Sequence, residues 1–339
     1  MQLKMLAEVI PQWYRNDHRS LPWREDKAPY HIWLSEIMLQ QTRVEAVRGY
    51  YTRFLQNLPT IEALANADDE LLHKLWEGLG YYSRVRNLKK AAQVIMEKHG
   101  GKFPETHAEI LNLPGIGPYT AGAIGSIAFN LKTPAVDGNV LRVMARLGAD
   151  ERPVDTPAFK KEVTEALAAV YPDEAGDFTQ GLMELGATAC GPDKAPQCEI
   201  CPCKAFCKGQ KIAQKLPVRL PKKQRRVEEK TVLILSCDGK LALRKRPDEG
   251  LLAGLWELPN FEGELELQEV LDQLQNVEEI EKTVHKKHIF THIQWNMRCF
   301  YMEVAETAGN LHWYTAERIR RETALPTAFR QFWDAMEQQ

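Results

Sequence analysis

The pattern of apolar and polar positions changes once along the chain. From residue 1 to about residue 209, apolar residues recur at the three- and four-residue spacing of amphipathic helices, and turn residues mark the segment ends. This spacing predicts helices over residues 1–14, 30–41, 44–57, 61–65, 69–78, 83–99, 106–113, 118–129, 139–147, 158–170 and 175–189. The N-terminal part is therefore expected to be mainly helical.

Beyond residue 228 the spacing shortens to that of strands. Residues 231–235, 240–244 and 297–302 predict strands, and residues 269–274 and 326–336 predict helices. A length of 339 residues suits two domains with separate cores. We therefore expect a helical domain at 1–209, a basic linker at 210–228 and an α/β domain at 229–339.

The composition is that of an ordinary soluble protein, with 44% apolar and 27% charged residues. No run of about 18 apolar residues predicts a membrane span, and Glu8 interrupts the apolar start expected of a signal peptide. We therefore expect a cytoplasmic protein.

The formal net charge is −2, but residues 211–226 contain seven basic residues and no acid, whereas residues 255–281 contain nine acids and no base. The basic run is either a solvated face or a contact with DNA phosphates.

Residues 106–129 predict two helices joined by a glycine turn. Thr106 with Glu109 forms the pattern of a capping box, and Pro118 suits the first position of the following helix. Gly115 and Gly117 allow close backbone approach, and amides at a helix N-terminus can bind an anion such as a DNA phosphate. An ordinary turn between helices is the alternative.

Two carboxylates are candidates for acid and base chemistry. Glu36 shares a largely apolar helix face, where burial would raise its pKa as a general acid requires. Asp137 precedes the helix that starts at Asn139, where helix amides favour the ionised carboxylate. A structural ion pair for Glu36 and helix capping for Asp137 are the alternatives. Together the two residues suggest one protonated and one ionised group, as in glycosidic bond cleavage.

Clustered cysteines predict a metal site. Four of them fall within eighteen residues of a chain that is expected in a reducing compartment: Cys190, Cys198, Cys201 and Cys207. Such a set suits either zinc or an iron–sulfur cluster. Cys203 is a spare thiol close to them, while Cys237 and Cys299 occupy apolar, strand-like surroundings typical of core cysteines.

Taken together, these segments resemble the MutY-type adenine DNA glycosylases of the helix-hairpin-helix, endonuclease III-like superfamily. The motifs that carry the resemblance are residues 33–42, 113–121 and 136–140, the cysteine loop and the C-terminal domain. The resemblance implies a mainly α catalytic domain with an iron–sulfur loop, followed by an α/β Nudix-like domain that recognises 8-oxoguanine. It also implies a base excision repair enzyme, which flips adenine mispaired with 8-oxoguanine or guanine out of double-stranded DNA and removes it. We expect such an enzyme at the nucleoid, and a monomer is the default expectation.

The resemblance also implies roles for individual residues. Glu36 would protonate adenine at N7, Asp137 would stabilise the cationic sugar, and Tyr119 and Asn139 would support Asp137. The implied DNA-binding and substrate-binding residues are Arg24, Leu39, Gln41, Thr42, Tyr81, Gly115, Gly117, Gln180, Phe290, Thr291 and His292. Gln41 and Tyr81 match positions that wedge into the duplex, for which a capped helix end and a packed aromatic ring are the structural alternatives.

The chain departs from the family pattern at three places. Seven residues separate Cys190 from Cys198, where the family usually has six, so Cys203 is a possible substitute ligand of the implied [4Fe-4S] cluster. Residues 254–259 resemble the strand before a Nudix box, but no Arg-Glu with paired glutamates follows, which argues against Mg²⁺-dependent hydrolysis. Thr291 stands where the family has serine in its Phe-Ser-His loop.

Two rival functions make different demands on the sequence. An endonuclease III-like glycosylase/lyase for oxidised pyrimidines needs a lysine amine that forms a Schiff base, and Tyr119 stands at that position. A non-catalytic DNA-binding protein with an iron–sulfur module would leave Glu36 with a structural role. The sequence therefore favours monofunctional base removal.

Overall fold

The chain forms two compact units in this computed structural model, which describes residues 2–192, 195–221, 224–274, 277–305, 307 and 310–337. The first unit comprises Met1–Asn66 and Arg86–Pro221, and the second comprises Ala67–Val85 and Lys222–Gln339. In the described part of the chain, no helix has both the length and the apolar character needed to cross a membrane.

Helices account for most of the first unit. In chain order, the α-helices among the described residues are α1 (Gln2–Asp17), α2 (Pro29–Leu39), α3 (Val44–Asn57), α4 (Ile61–Ala65), α5 (Asp69–Trp76), α6 (Ser83–His99), α7 (His107–Leu111), α8 (Pro118–Phe129), α9 (Gly138–Gly148), α10 (Pro157–Ala168), α11 (Ala175–Ala187), α12 (Leu267–Leu271), α13 (Ala316–Glu322) and α14 (Thr327–Glu337). The predicted helical N-terminal domain is confirmed, and most helix ends differ from the predicted ones by one to three residues.

Local capping explains where the helices near the candidate site begin. The Thr106 hydroxyl accepts a hydrogen bond from the backbone N–H of Glu109 at 3.3 Å, as the predicted capping box requires. The Asp137 carboxylate accepts one from the backbone N–H of Val140 at 2.8 Å and so starts α9. Helix α11 packs closely on α9 at Gly186, where a Cβ would lie only 2.6 Å from the Cβ of Asn139. The glycine thus lets α9 lie directly beside α11.

The second unit is built on a mixed seven-stranded sheet. Its strands are β1 (Arg226–Cys237), β2 (Lys240–Lys245), β3 (Trp256–Glu257), β4 (Asn260–Glu262), β5 (Val277–Ile289), β6 (Ile293–Val304) and β7 (His312–Thr315). The order is β3-β2-β1-β6-β5, with β4 paired to β1 and β7 paired to β2. Strand β1 runs parallel to β6, and the other pairs are antiparallel. The expected α/β architecture is confirmed.

Helices cover the two faces of this sheet to different extents. One face packs Val232, Trp295 and Tyr301 against Phe329 and Phe332 of α14. The other face packs Leu233 and Phe300, among other residues, against Val270 of α12. Since α12 has only five residues, it covers only part of its face.

Helix α5 belongs to the second unit, although the sequence places it among the N-terminal helices. The carboxylate of Glu70 accepts hydrogen bonds from Lys245 Nζ at 2.6 Å and from Trp256 Nε1 at 3.0 Å. The carboxylate of Glu77 accepts one from the backbone N–H of Leu325 at 3.0 Å. Periodicity predicts the helix but does not predict these distant partners.

Candidate active site

A cavity of about 660 Å³ opens in the first unit and is lined by residues from several helices. Glu36 enters it from α2, Tyr119 from α8, and Asp137 and Asn139 from the start of α9. Other predicted site residues also line it: Arg24, Leu39, Gln41, Thr42, Gly117 and Gln180. The fold therefore brings together residues that are far apart in sequence.

Glu36 is buried and carries an unusual pKa. Removal from water raises the pKa of its carboxyl group from 4.5 to about 7, and the nearby charge of Asp137 acts in the same direction. The Tyr119 hydroxyl, which donates a hydrogen bond to Glu36 Oε2 at 2.8 Å, opposes the rise. A carboxyl group with a pKa near 7 can deliver a proton at neutral pH, as a general acid must.

Asp137 has a different set of partners. Its carboxylate accepts hydrogen bonds from the backbone N–H of Val140 at 2.8 Å and from Asn139 Nδ2 at 2.7 Å. Burial raises the pKa of Asp137 above its usual value, and these two hydrogen bonds offset only part of the rise. The sequence-based expectation of an ionised Asp137 rests on the helix amides alone. Burial, which sequence position does not show, acts against it.

A third carboxylate, that of the buried Glu184 of α11, lines the same cavity and was not predicted from the sequence. Arg19 Nε donates to it at 2.6 Å, and Arg24 donates at 2.8 Å. Burial alone would raise the pKa of Glu184, but the hydrogen bonds and charges of the two arginines outweigh burial and lower it to about 2. Glu184 is therefore ionised and holds Arg24 at the cavity wall. In the sequence, the only indication of a buried acidic partner was the pair Arg19 and Arg24, which follow the apolar first helix.

Arg142 connects the cavity to the cysteine loop and was also missed. Its guanidinium group donates to Asn139 Oδ1 at 2.7 Å and to the backbone oxygen of Cys190 at 2.9 Å. Arg146, one helical turn further along α9, donates to the sulfur of Cys190 at 3.3 Å. Both arginines are buried. Basic residues at this spacing on the apolar face of α9 could have indicated buried partners.

The four predicted ligands converge on one small cavity. Cys190, Cys198, Cys201 and Cys207 line a space of about 30 Å³, whereas Cys203 does not line it and is instead buried in the adjacent hydrophobic core. Across the described ranges, no group of three or more histidine, cysteine or acidic side chains is set closely enough to hold a single metal ion. Four thiols around a shared space are a ligand set that either zinc or an iron–sulfur cluster can take.

Gly115 has a left-handed backbone, with φ of +76°, while Gly117 is the residue before α8. A Cβ at Gly115 would lie 2.5 Å from the Cβ of Asn87, whereas a Cβ at Gly117 would meet nothing within 4 Å. The first glycine is therefore needed for the fold of the turn. The second leaves open space in front of the N-terminus of α8.

The other predicted recognition residues lie in the second unit. Phe290, Thr291 and His292 form the turn between β5 and β6, closed by a hydrogen bond from the Phe290 N–H to the backbone oxygen of Ile293 at 2.8 Å. Thr291 and His292 are exposed, and the Thr291 hydroxyl is hydrogen-bonded to the hydroxyl of Tyr81. Tyr81 is 44% exposed, and the centre of its ring lies 5.6 Å from the guanidinium carbon of Arg84.

Family models match both parts of the chain. Residues 34–170 match the family described as HhH-GPD superfamily base excision DNA repair protein, and residues 230–335 match the NUDIX domain family. The adenine DNA glycosylase of Rattus norvegicus is 35% identical over an alignment that spans 397 positions with its gaps and covers 94% of this chain and 76% of that protein. The adenine DNA glycosylase of Homo sapiens is 34% identical, with coverage of 94% and 72%.

Solved structures resemble the helical part. A thermostable thymine-DNA glycosylase matches with a TM-score of 0.56 and 30% identity, covering 62% of this chain and 97% of that one. An endonuclease III in a non-covalent complex with DNA matches with a TM-score of 0.52 and 25% identity, covering 63% and 95%. The fold and its cavity thus define a helix-hairpin-helix DNA glycosylase of base excision repair.

Within that class, the chain belongs to the adenine DNA glycosylase family, since its identity to such enzymes exceeds 30% over most of both chains. The family, the type of enzyme and the Nudix-like second part predicted from the sequence are therefore confirmed.

Proposed function

We propose that this glycosylase hydrolyses the N-glycosidic bond of adenine mispaired with 8-oxoguanine or guanine in double-stranded DNA. The observation that carries the proposal is a buried Glu36 with a pKa near 7, in a cavity that also holds Asp137. A volume of about 660 Å³ is ample for a purine base and its sugar. The adenine must leave the base stack to reach these groups.

Glu36 acts as the general acid. It transfers its proton to N7 of adenine, so that the bond between N9 and the sugar C1′ breaks with both electrons going to a neutral leaving base. The Tyr119 hydroxyl, donating at 2.8 Å, stabilises the carboxylate that remains. Water then adds to C1′ and gives up a proton, which leaves an abasic site.

Asp137 stabilises the positive charge that develops on the sugar, either as an ion pair or as a transient covalent adduct. Asn139 donates to its carboxylate at 2.7 Å, and Arg142 holds Asn139 in turn at 2.7 Å. These contacts orient the carboxylate before substrate arrives. Asn139 and Arg142 are thus positioning residues.

The remaining residues bind the duplex or the base. Arg24, Leu39, Thr42 and Gln180 line the cavity around the flipped adenine, and Gly115 and Gly117 form the hairpin that holds a DNA phosphate. Phe290, Thr291 and His292 approach 8-oxoguanine from the second unit.

Gln41 and Tyr81 wedge into the duplex. Both residues are exposed and have left-handed backbones, with φ of +58° and +48°, a strained conformation that often accompanies function.

We also propose a [4Fe-4S] cluster held by Cys190, Cys198, Cys201 and Cys207, with Cys203 outside the ligand set. When bound, such a cluster supplies four iron–thiolate bonds that cross-link the loop and a centre that can accept an electron. Arg146 and Arg142 hold Cys190 from the α9 side. Absorption in the visible range and about four iron atoms per chain would support this cluster; one zinc per chain would contradict it.

For the chain as a whole, we propose that residues 1–209 carry catalysis, that 210–228 link the domains, and that 229–339 carry recognition. The protein works as a monomer on DNA in the cytoplasm, at the nucleoid.

The proposal is tested by single-turnover reactions on duplexes that hold adenine opposite 8-oxoguanine, adenine opposite guanine, or thymine glycol, with and without alkali. We expect adenine release from the first two duplexes and strand breaks only after alkali, because Tyr119 offers no amine for a Schiff base. Strand breaks without alkali on the thymine glycol duplex would instead establish the lyase function.

A further inference from the structure

Acidic and basic residues are separated along strand β5. Its first half contains three acids, Glu278, Glu279 and Glu281, and its second half contains two lysines and two histidines, which are Lys286, Lys287, His285 and His288. The strand lies at one edge of the sheet, with β6 on one side and no described strand on the other. The basic half leads directly into the turn at 290–292.

Further cations lie beside the same turn. Arg225 Nε donates to the backbone oxygen of Phe290 at 3.3 Å, and the backbone N–H of Arg226 donates to that of His292 at 3.0 Å. Lys286 and Lys287 are exposed and line a shallow cavity that Glu229 and Glu264 also line, but within the described ranges neither lysine forms an ion pair with them. By contrast, the ammonium group of Lys282 lies 4.5 Å from the centre of the Tyr301 ring.

The two lysines flank the strand from opposite sides. Because successive side chains alternate along a strand, Lys286 points to the face that α14 covers, as does Val284, and Lys287 points to the other face. An anion bound on one face would meet only one of them. A polyanion that runs along the exposed edge would meet both.

We propose that the basic half of β5, with Lys286 and Lys287 as its principal contacts, binds successive phosphates of the DNA strand that carries 8-oxoguanine. This inference rests on the proposed function, which brings the turn at 290–292 to the oxidised base. The three acids of β5 itself lie at the end of the strand away from the turn, so they do not repel a phosphate bound beside Lys286 and Lys287.

The test measures how the dissociation constant depends on salt. The duplex carries 8-oxoguanine opposite 2′-fluoro-2′-deoxyadenosine, whose glycosidic bond resists cleavage. Each lysine–phosphate contact contributes about 0.9 to the slope of log Kd against log salt, so the Lys286→Gln/Lys287→Gln variant should lose about 2 from that slope. The matched control is Lys240→Gln, an exposed lysine at the opposite end of the sheet, which should keep the wild-type slope.

Neutral methylphosphonates identify the strand that is bound. Placed beside 8-oxoguanine, they should lower the wild-type slope and remove the difference between wild type and the double variant, while the same groups in the adenine strand should leave that difference intact. An unchanged slope in the double variant, or an effect confined to the adenine strand, would overturn the proposal. So would a DNA-free dimer that the double variant dissociates, since the acidic half of a second β5 would then be the partner.

A separate assay tests whether the proposed function itself fails. Wild-type protein is also assayed for adenine release from the natural duplex, and absence of release would remove the proposed function whatever the slopes are. Normal release with an unchanged slope would reject only the β5 surface.

Discussion

The hydroxyl of Tyr119 donates a hydrogen bond to Glu36 Oε2 at 2.8 Å, across 83 positions of sequence. The bond stabilises the ionised form of a carboxyl group whose burial favours the protonated form. The balance leaves the pKa of Glu36 near 7, where the group can both give up and regain a proton. Tyr119 thus tunes the pKa of the Glu36 carboxyl group.

Replacing the phenol tests this tuning. Tyr119→Phe removes a hydrogen bond that lowers the pKa of Glu36, so that pKa should rise. Because release needs the protonated acid, the wild-type rate should fall above about pH 7, and in the variant this decline should begin at higher pH. Single-turnover rates between pH 5 and 9 measure the shift. Tyr30→Phe, which removes a buried hydroxyl bonded to the backbone oxygen of Leu58, should leave the profile in place; a wild-type profile in Tyr119→Phe would contradict the tuning.

The raised pKa of Glu36 also predicts a cost in stability. The folded protein holds the Glu36 proton more tightly than the unfolded chain does. The stability that this tighter binding supplies is fully present below pH 4.5 and is lost as the pH rises to about 7. That shift corresponds to roughly 3 kcal/mol. Glu36→Gln should therefore gain stability relative to wild type between pH 5 and pH 8, as measured by urea unfolding. A pH-independent difference would mean that Glu36 titrates normally.

Glu184 predicts the opposite pH dependence. Its pKa is lowered to about 2, so the stability from its ion pairs is present above pH 4.5 and is lost as the pH falls towards 2. Glu184→Gln leaves buried charge on Arg24 poorly compensated and should cost about 3 kcal/mol at pH 7, with a smaller gap in acid. Glu174→Gln, an exposed carboxylate 3.8 Å from Arg15, should change stability by less than about 0.5 kcal/mol. Equal effects of the two variants would refute the assigned role of Glu184.

The two hairpin glycines should separate folding from DNA binding. Gly115→Ala puts a Cβ on a left-handed backbone and 2.5 Å from Asn87, so unfolding should become easier by about 2 kcal/mol or more. Gly117→Ala meets nothing within 4 Å and should unfold like wild type, but its methyl group occupies the approach to the amides of α8. Its Kd for DNA should rise about tenfold, or about 1.4 kcal/mol. Tight DNA binding by Gly117→Ala would contradict the phosphate site at this turn.

The sequence pattern predicted where the helices lie better than it predicted which residues surround each buried charge. Apolar spacing and capping residues fix helices locally, which is why α2, α8 and α9 could be predicted. Glu36 and Asp137 were singled out by their positions on these helices, whereas Tyr119 was named only from the resemblance to a family. Strand β5 was missed because an exposed edge strand needs no apolar alternation.

The partners of buried charges were missed for a different reason. Glu184 meets Arg19 across 165 positions, and Arg142 meets Cys190 across 48, so only the folded chain shows which charge compensates which. The same holds for Asp137, since only the folded chain shows that it is half-buried at the cavity wall.

The most direct measurement of the central claim compares adenine release by wild type, Glu36→Gln and Asp137→Asn under single-turnover conditions at pH 7, on duplexes with adenine opposite 8-oxoguanine. With the proton donor or the charge stabiliser removed, the rate constant should fall by at least about a thousandfold, while the Kd for the uncleavable duplex stays within a few-fold of wild type. Wild-type release by either variant would show that the two carboxylates do not carry the reaction.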